Sequence, residues 1–129
     1  MFTGVIKDVG TVKVVERKND GVYLTIECDM SKLTDADSYM GGLPDGASVS
    51  VDGVCQTVIK SDKKTFTVQS IPETLRVTTF GSFAIGSRVN LEPAMKLNDS
   101  VDGHFVQGHV DCVGIVLGSH DSKDETDKN

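Results

Sequence analysis

Short stretches in which apolar and polar residues alternate constrain the fold of this chain more than any other feature. Val22, Leu24 and Ile26 alternate with Tyr23 and Thr25, the period of a strand with one buried face. The 13 glycines and an aromatic content of only 5% suit many tight turns between short strands. The pattern predicts an all-β protein.

Turn signals separate the predicted strands. Residues 48–51 alternate in the same way, Asp52-Gly53 follows as a favoured hairpin turn, and residues 54–59 return as the partner strand. Further strands are predicted at 66–71 and 89–91. About six short strands with few helical patterns indicate a closed antiparallel barrel, which leaves no exposed edge.

Two segments depart from the strand pattern. Residues 70–73 (Ser-Ile-Pro-Glu) have the spacing of a capping box with an early proline, which predicts a short helix after the fifth strand. Residues 29–46 are polar and rich in glycine near their end, so we expect a loop, with one helical turn near residues 31–33.

Charge and cysteine content exclude several classes of function. The net charge of -6 and the lack of a basic patch argue against nucleic-acid binding. No apolar run is long enough to span a membrane, and no signal peptide precedes the first strand, so we expect a cytoplasmic protein. Cys28, Cys55 and Cys112 are odd in number and lack CxxC spacing, which disfavours a disulfide framework or a structural zinc site; we expect no metal. Cys28 continues the apolar face of residues 22–26 and is expected in the core.

An internal repeat indicates a duplicated unit. Residues 2–12 align with residues 106–116, with Gly4 on Gly108 and Gly10 on Gly114. Because a lone strand cannot bury its face, we expect a fragment, or a strand that pairs with another chain. The predicted organisation is a barrel at 1–97, the start of a second barrel at 98–118 and a polar tail at 119–129.

Four motifs, in order along the chain, resemble the riboflavin synthase family. They are MFTG at residues 1–4, GASVSVDGVCQTV at 46–58, IPETLRVTTFG at 71–81, and VNLEPAMKLNDSVDGHFVQGHVD at 89–111. The resemblance implies two six-stranded Greek-key barrels in a whole family member. Two positions depart from the family pattern: Gln56 stands where leucine is usual, and Asp102 where glycine is usual.

The family resemblance implies a transferase reaction in riboflavin biosynthesis. Two molecules of 6,7-dimethyl-8-ribityllumazine dismutate to riboflavin and 5-amino-6-ribitylamino-pyrimidinedione. No separate cofactor is implied, because the substrate is its own electron sink; riboflavin or the lumazine would be the bound molecule. The chemistry requires positioning and a proton acceptor that works near neutral pH.

Three residues match family positions with chemical roles. Cys55 supplies a thiol for addition or proton relay, Ser48 lies near the reacting atoms, and His109 exchanges protons at the mouth of the site. Two have a plain structural alternative: a buried strand cysteine at Cys55 and a solvent-facing strand serine at Ser48. Nucleophile and base cannot be separated among the three.

Further residues match the ligand-contacting stretches of the family. Backbone groups on such strands can bond the pyrimidinedione edge, and polar side chains can bond the ribityl hydroxyls. The ligand-binding residues predicted in this way are Gly4, Val5, Ile6, Cys55, Gln56, Thr57, Gln69, Ser70, Ile71, Pro72, Glu73, Thr74, Gly108, His109 and Val110.

Assembly and activity leave two functions open. The family implies a trimer for whole members, and we expect a homo-oligomer, a dimer, for a chain of this length, with residues 106–116 at the interface. The first function is a riboflavin synthase barrel that binds ligand and turns over slowly or not at all. The second is a non-catalytic lumazine- or flavin-binding protein of the antenna type.

Overall fold

The computed structural model of the chain describes residues 1–35 and 41–121. Six strands form one closed antiparallel barrel in the order β1-β2-β5-β4-β3-β6, in which β3–β5 are inserted between β2 and β6 as a Greek key. The strands are β1 Asp8–Lys18, β2 Gly21–Glu27, β3 Ser48–Val51, β4 Val54–Ser61, β5 Thr65–Ser70 and β6 Arg88–Pro93. A helix, α1, spans Pro72–Val77, and 3-10 helices span Met30–Lys32 and Phe80–Ser82. The predicted six-stranded barrel with a short helix after its fifth strand is confirmed.

The interior of the barrel is built by the alternating apolar residues. Leu24 and Ile26 are fully buried on β2, and Cys28 packs against the same core, as the alternation predicts. Where β1 crosses the core, a Cβ on Gly10 would lie 2.7 Å from the side chains of Ile26 and Leu91. Glycine therefore allows β1 to approach the core closely.

The N-terminal segment lies outside the barrel ladder. Strand β1 begins at Asp8, whereas Phe2 forms an isolated antiparallel bridge with Val106, with N–H···O distances of 2.8 and 2.9 Å. The Phe2 side chain is 1% exposed. The segment before the barrel is thus fastened to the segment that follows it.

The capping-box prediction is wrong, although Pro72 begins the helix as expected. The N-cap position is Ile71, which has no side-chain cap. Ser70 is the last residue of β5, fully buried, and its hydroxyl donates a hydrogen bond to Gln56. Glu73 pairs with Arg76 instead of reaching back. Strand alternation directs Ser70 into the barrel, which takes its hydroxyl away from the helix end.

The remaining segments agree with the expectations where the structure describes them. The 3-10 helix Met30–Lys32 lies at the predicted helical turn. Residues 36–40 of the predicted loop and 122–129 of the predicted tail lie outside the described residues. The two domain boundaries, after residues 97 and 118, stay predictions. Among the described residues, no helix has the length and apolarity needed to cross a membrane.

Candidate functional site

The β3–β4 hairpin determines which side chains lie outside the barrel. Asp52 and Gly53 both have positive φ, 46° and 82°, as a type I′ turn requires. The resulting register places Ser50 opposite Cys55 and Ser48 opposite Thr57. Because directly opposed residues share a face, these four polar side chains lie together on the outer face of the hairpin. Their neighbours Val49 and Val51 fill the core.

The outer edge of β4 is covered by the segment that follows the barrel. Pairing between β4 and β5 ends at Val58 and Val68, so the strands part before Cys55. The Cys55 amide donates a hydrogen bond of 2.9 Å to the carbonyl oxygen of Gly108. A Cβ on Gly108, whose φ is +78°, would lie 2.8 Å from the Cys55 nitrogen. Only glycine fits this approach without strain.

A cleft of about 210 Å³ opens between β4, helix α1 and the segment around Gly108. Its lining residues are Val54, Cys55, Glu73, Thr74, Val77, Thr78, Gly108, His109 and Val110. The cleft thus joins parts of three predicted stretches that are far apart in sequence. One wall is a strand edge with a thiol, another is a helix with a carboxylate and a hydroxyl, and the segment around Gly108 adds the exposed imidazole of His109.

The charges at the cleft come from its helical wall. Glu73 accepts hydrogen bonds from the Arg76 guanidinium at 2.6 and 2.9 Å, and these lower the pKa of its carboxyl. Glu73 therefore stays ionised near neutral pH and suits hydroxyl donors such as those of a ribityl chain. Elsewhere, burial and the nearby Asp8 carboxylate raise the pKa of Cys28 to about 12, so its thiol stays protonated. Chemistry at a cysteine is therefore favoured at the cleft over the Cys28 position.

Some predicted residues face away from the cleft. The side chains of Gln56 and Ser70 are buried, so a ligand outside the barrel would meet only their backbone. Gln69 donates to the backbone and side chain of Asp20 at 3.3 and 3.1 Å. Ile71 and Pro72 are exposed where β5 leads into α1.

Gly4, Val5 and Ile6 do not line the cleft. Their segment is held by the buried carboxylate of Glu92, which accepts backbone N–H bonds of 2.8–3.3 Å from Thr3, Gly4 and Val5. Successive backbone N–H groups that converge on one anion form a nest. The structure thus places this predicted contact stretch in a second location.

Sequence reasoning missed two residues of interest. Ser50 lies opposite Cys55, and the two-residue turn at Asp52-Gly53 carries enough information to place it there. Glu92 lies opposite Ser50 on the outer face of β6, where alternation predicts an exposed acid, yet the N-terminal segment covers it and leaves it 3% exposed. A buried charge requires a specific partner, and no local pattern identifies the N-terminal backbone as that partner.

A larger cavity, of about 360 Å³, lies at the Glu92 side of the barrel. Lys7, Lys32, Lys96, Asp35 and Asp99 are among its lining residues. Lys96 and Asp35 form an ion pair, so two of these charges compensate each other. This cavity gathers none of the three predicted catalytic residues, and the cleft at Cys55 is the better candidate.

Comparison with known proteins adds close relatives. The lumazine binding domain family matches residues 3–94. The chain is 41% identical to riboflavin synthase of Bacillus subtilis over 86% of this chain and 48% of the relative. It is 39% identical to riboflavin synthase of Brucella abortus over 98% of this chain and 60% of the relative. The chain spans about half the length of the curated relatives it matches.

Solved structures with the same fold include two of LumP. LumP complexed with riboflavin superposes with a TM-score of 0.72 at 20% identity, covering 87% of this chain and 56% of LumP. LumP complexed with 6,7-dimethyl-8-(1'-D-ribityl) lumazine gives a TM-score of 0.68 at 22% identity, covering 84% and 56%. These likenesses agree with the closed barrel. Since the family match covers more than half of the sequence and nearly the whole barrel, this chain belongs to the lumazine-binding domain family.

Proposed function

We propose that this chain is the N-terminal barrel of a riboflavin synthase and binds ribityllumazine or riboflavin in the cleft at Cys55. The observation that carries the proposal is the hydrogen bond from the Cys55 amide to Gly108, which brings His109 to the cleft that Cys55 lines. The identity to riboflavin synthases along most of the chain supports the same assignment.

The cleft suits one heterocycle with a polyhydroxyl chain. Backbone groups of the residues that line the cleft can bond the pyrimidinedione, whose edge alternates donors and acceptors. On the opposite wall, Glu73 and Thr74 offer a carboxylate and a hydroxyl to the ribityl chain. The molecules recognised are substrate and product, and the proposal includes no separate cofactor or metal.

The proposed reaction moves a four-carbon unit between two identical lumazines. One ring loses a proton from a methyl group and adds as a nucleophile to the other, and the acceptor becomes riboflavin while the donor leaves as the pyrimidinedione. Since the two rings exchange carbon and hydrogen only with each other, the transfer balances without an outside oxidant. Cys55, Ser48 and His109 are the groups proposed to add to the ring or move protons.

Two lumazines require two facing sites, and the N-terminal segment suggests how they are shared. Gly4 and Gly108 align in the repeat, and both have positive φ, +84° and +78°. Gly108 lies against Cys55 of this barrel, while Phe2 and Val106 pair antiparallel. Because Gly4 corresponds to Gly108 in the repeat, we propose that residues 4–6 contact the ligand of a facing barrel and do not line this cleft.

Exposed apolar residues support an assembly of barrels. Val113, Ile115, Val116 and Leu117 are all more than half exposed. Such a run favours association with a second barrel or a second copy. We propose a homo-oligomer in the cytoplasm, and sedimentation at high concentration tests the association. A stable monomer across that range would contradict it.

The alternative function is a binder without turnover. The LumP structures are complexes with riboflavin and with 6,7-dimethyl-8-(1'-D-ribityl) lumazine, and a protein that only binds such molecules needs only the cleft. Retention of Cys55, Ser48 and His109 favours the enzyme, because a pure binder has no need of all three.

A fluorescence titration followed by a turnover assay on the same sample tests the proposal. We expect saturable binding of riboflavin and of 6,7-dimethyl-8-ribityllumazine, with slow or undetectable formation of riboflavin. His109→Ala should weaken binding, while His120→Ala, at an exposed site beyond the barrel, serves as the control. No binding of either compound by the wild type would refute the proposed function. Rapid turnover would place a complete site within assemblies of this chain.

A further inference from the structure

The point where β4 and β5 part is bridged by two buried polar side chains. Continuing the ladder register two residues beyond Val58 and Val68 brings Gln56 opposite Ser70. There the Ser70 hydroxyl donates to the Gln56 side-chain oxygen at 2.9 Å. The Gln56 amide nitrogen in turn donates to the Cys55 carbonyl oxygen, also at 2.9 Å. A side-chain bridge thus continues the connection where the backbone ladder has ended.

The bridge is shielded from water. Gln56 is 5% exposed and Ser70 is 0% exposed. Breaking it would leave a primary amide or a hydroxyl unsatisfied inside the barrel, which is costly. The bridge therefore constrains its two ends continuously, unlike a surface pair that exchanges with solvent.

Its two ends lead directly to the two walls of the cleft. Gln56 follows Cys55 on the β4 wall, and its side-chain amide donates to the carbonyl oxygen of Cys55, the residue whose own N–H is bonded to Gly108. Ser70 ends β5, and the chain runs from it through Ile71 into the helix that supplies Glu73. Movement of one end relative to the other would change the spacing between the thiol and the helical wall.

We propose that Gln56 and Ser70 are a positioning pair that sets the width of the cleft and the orientation of the Cys55 peptide. The proposal rests on the proposed function only in that the cleft is where ligand binds. Leucine is usual in the family at the position of Gln56, so this chain uses a directional bond where an apolar contact is usual. The distance between the β4 wall and the helical wall of the cleft therefore depends on one hydrogen bond, from Ser70 to Gln56.

A double-mutant cycle with riboflavin as the probe tests the pair. Gln56→Leu and Ser70→Ala each break the bridge, and each should raise the Kd for riboflavin about tenfold. The double variant should bind no more weakly than the weaker single variant, because the same bridge is lost once. Thr67→Val is the control, since it breaks the partly buried Thr25–Thr67 hydroxyl bond of 2.9 Å across β2 and β5. Its Kd should equal that of the wild type.

A second readout does not depend on ligand. Alkylation of Cys55 by iodoacetamide, located by peptide mass, should change several-fold in Gln56→Leu and stay constant in Thr67→Val. The exposed Cys112 is the internal reference. Unchanged Kd and unchanged Cys55 alkylation in the folded single variants would overturn the proposal, as would additive effects in the double variant. Failure of the wild type to bind riboflavin, with Cys55 alkylation still altered, would instead refute the proposed function and retain the positioning of Cys55.

Discussion

Cys28 and Cys55 are both half-buried strand-end cysteines, yet their surroundings give them different chemistry. Cys28 packs against the core beside Asp8, and burial is the main reason that its pKa rises to about 12. Cys55 instead lines an open cleft. The alternation pattern correctly assigned Cys28 to the core. The pattern did not predict the surroundings of Cys55, because the segment that covers β4 lies more than 50 residues away along the chain.

Thiol labelling at pH 8 tests this difference. Because its pKa is raised to about 12, the Cys28 thiol stays protonated until the pH approaches that value. At pH 8, roughly one Cys28 side chain in ten thousand is a thiolate. We expect iodoacetamide to modify Cys112 and Cys55 long before Cys28, and unfolding in denaturant to abolish the protection. Labelling of Cys28 in the folded protein as fast as Cys112 would contradict the account.

Gly108 is the residue at which a single added methyl group should damage the cleft. In Gly108→Ala, the new Cβ would meet the Cys55 backbone and alanine would have to adopt positive φ. We expect a loss of about 1–2 kcal/mol in riboflavin binding, roughly tenfold in Kd. Gly108 lies outside the six strands of the barrel, so the melting temperature of the variant should change little.

Gly114→Ala is the matched control for that substitution, because nothing lies within 4 Å of its added Cβ. It should bind riboflavin as the wild type does. Equal Kd values for the Gly108 and Gly114 variants would show that the close approach at Cys55 has no role in binding.

At the scale of elements, strands were predicted better than their connections. The Asp52-Gly53 turn and the alternation of β2 follow from local chemistry, and both are confirmed. The capping of α1 was predicted wrongly, and the bridge of the N-terminal segment was not predicted, because tertiary partners decide both. Phe2 is captured by Val106, and the Ser70 hydroxyl by Gln56. Neither partner is visible in a local pattern.

Glu92 anchors the N-terminal segment to strand β6. Glu92→Gln replaces a carboxylate that accepts three backbone N–H groups with an amide that accepts on one atom only. We expect a loss of about 2 kcal/mol in unfolding free energy and faster amide exchange at Thr3, Gly4 and Val5. Exchange should be measured by NMR under native conditions.

Asp8→Asn is the control for Glu92→Gln. Asp8 also accepts a backbone N–H bond, from Asp29 at 2.8 Å, and its other side-chain partner in the described part of the chain is Lys32. Its substitution should leave exchange at residues 3–5 unchanged. If both variants accelerate exchange at these residues equally, Glu92 acts through general destabilisation and the nest account fails.

At the scale of the whole molecule, a barrel positions a cleft that a following segment completes. The barrel could be predicted from periodicity, and the four motifs indicated the family. The sequence could not predict which of the family's contact residues line this cleft and which lie elsewhere. Gly4 and Gly108 are equivalent in the repeat, and only the fold places them at different locations. Gly108 lies on Cys55, and Gly4 on the Glu92 nest.

The most direct test is an amide NMR titration of the chain with riboflavin. We expect the largest chemical-shift changes at residues 54–57, 73–78 and 108–110, which surround the cleft between β4 and α1. Residues that line the larger, lysine-rich cavity, such as Lys7 and Lys32, should be unaffected at the same ligand concentration. Saturable shifts confined to that cavity, with none at Cys55 or Gly108, would contradict the assignment of the binding site.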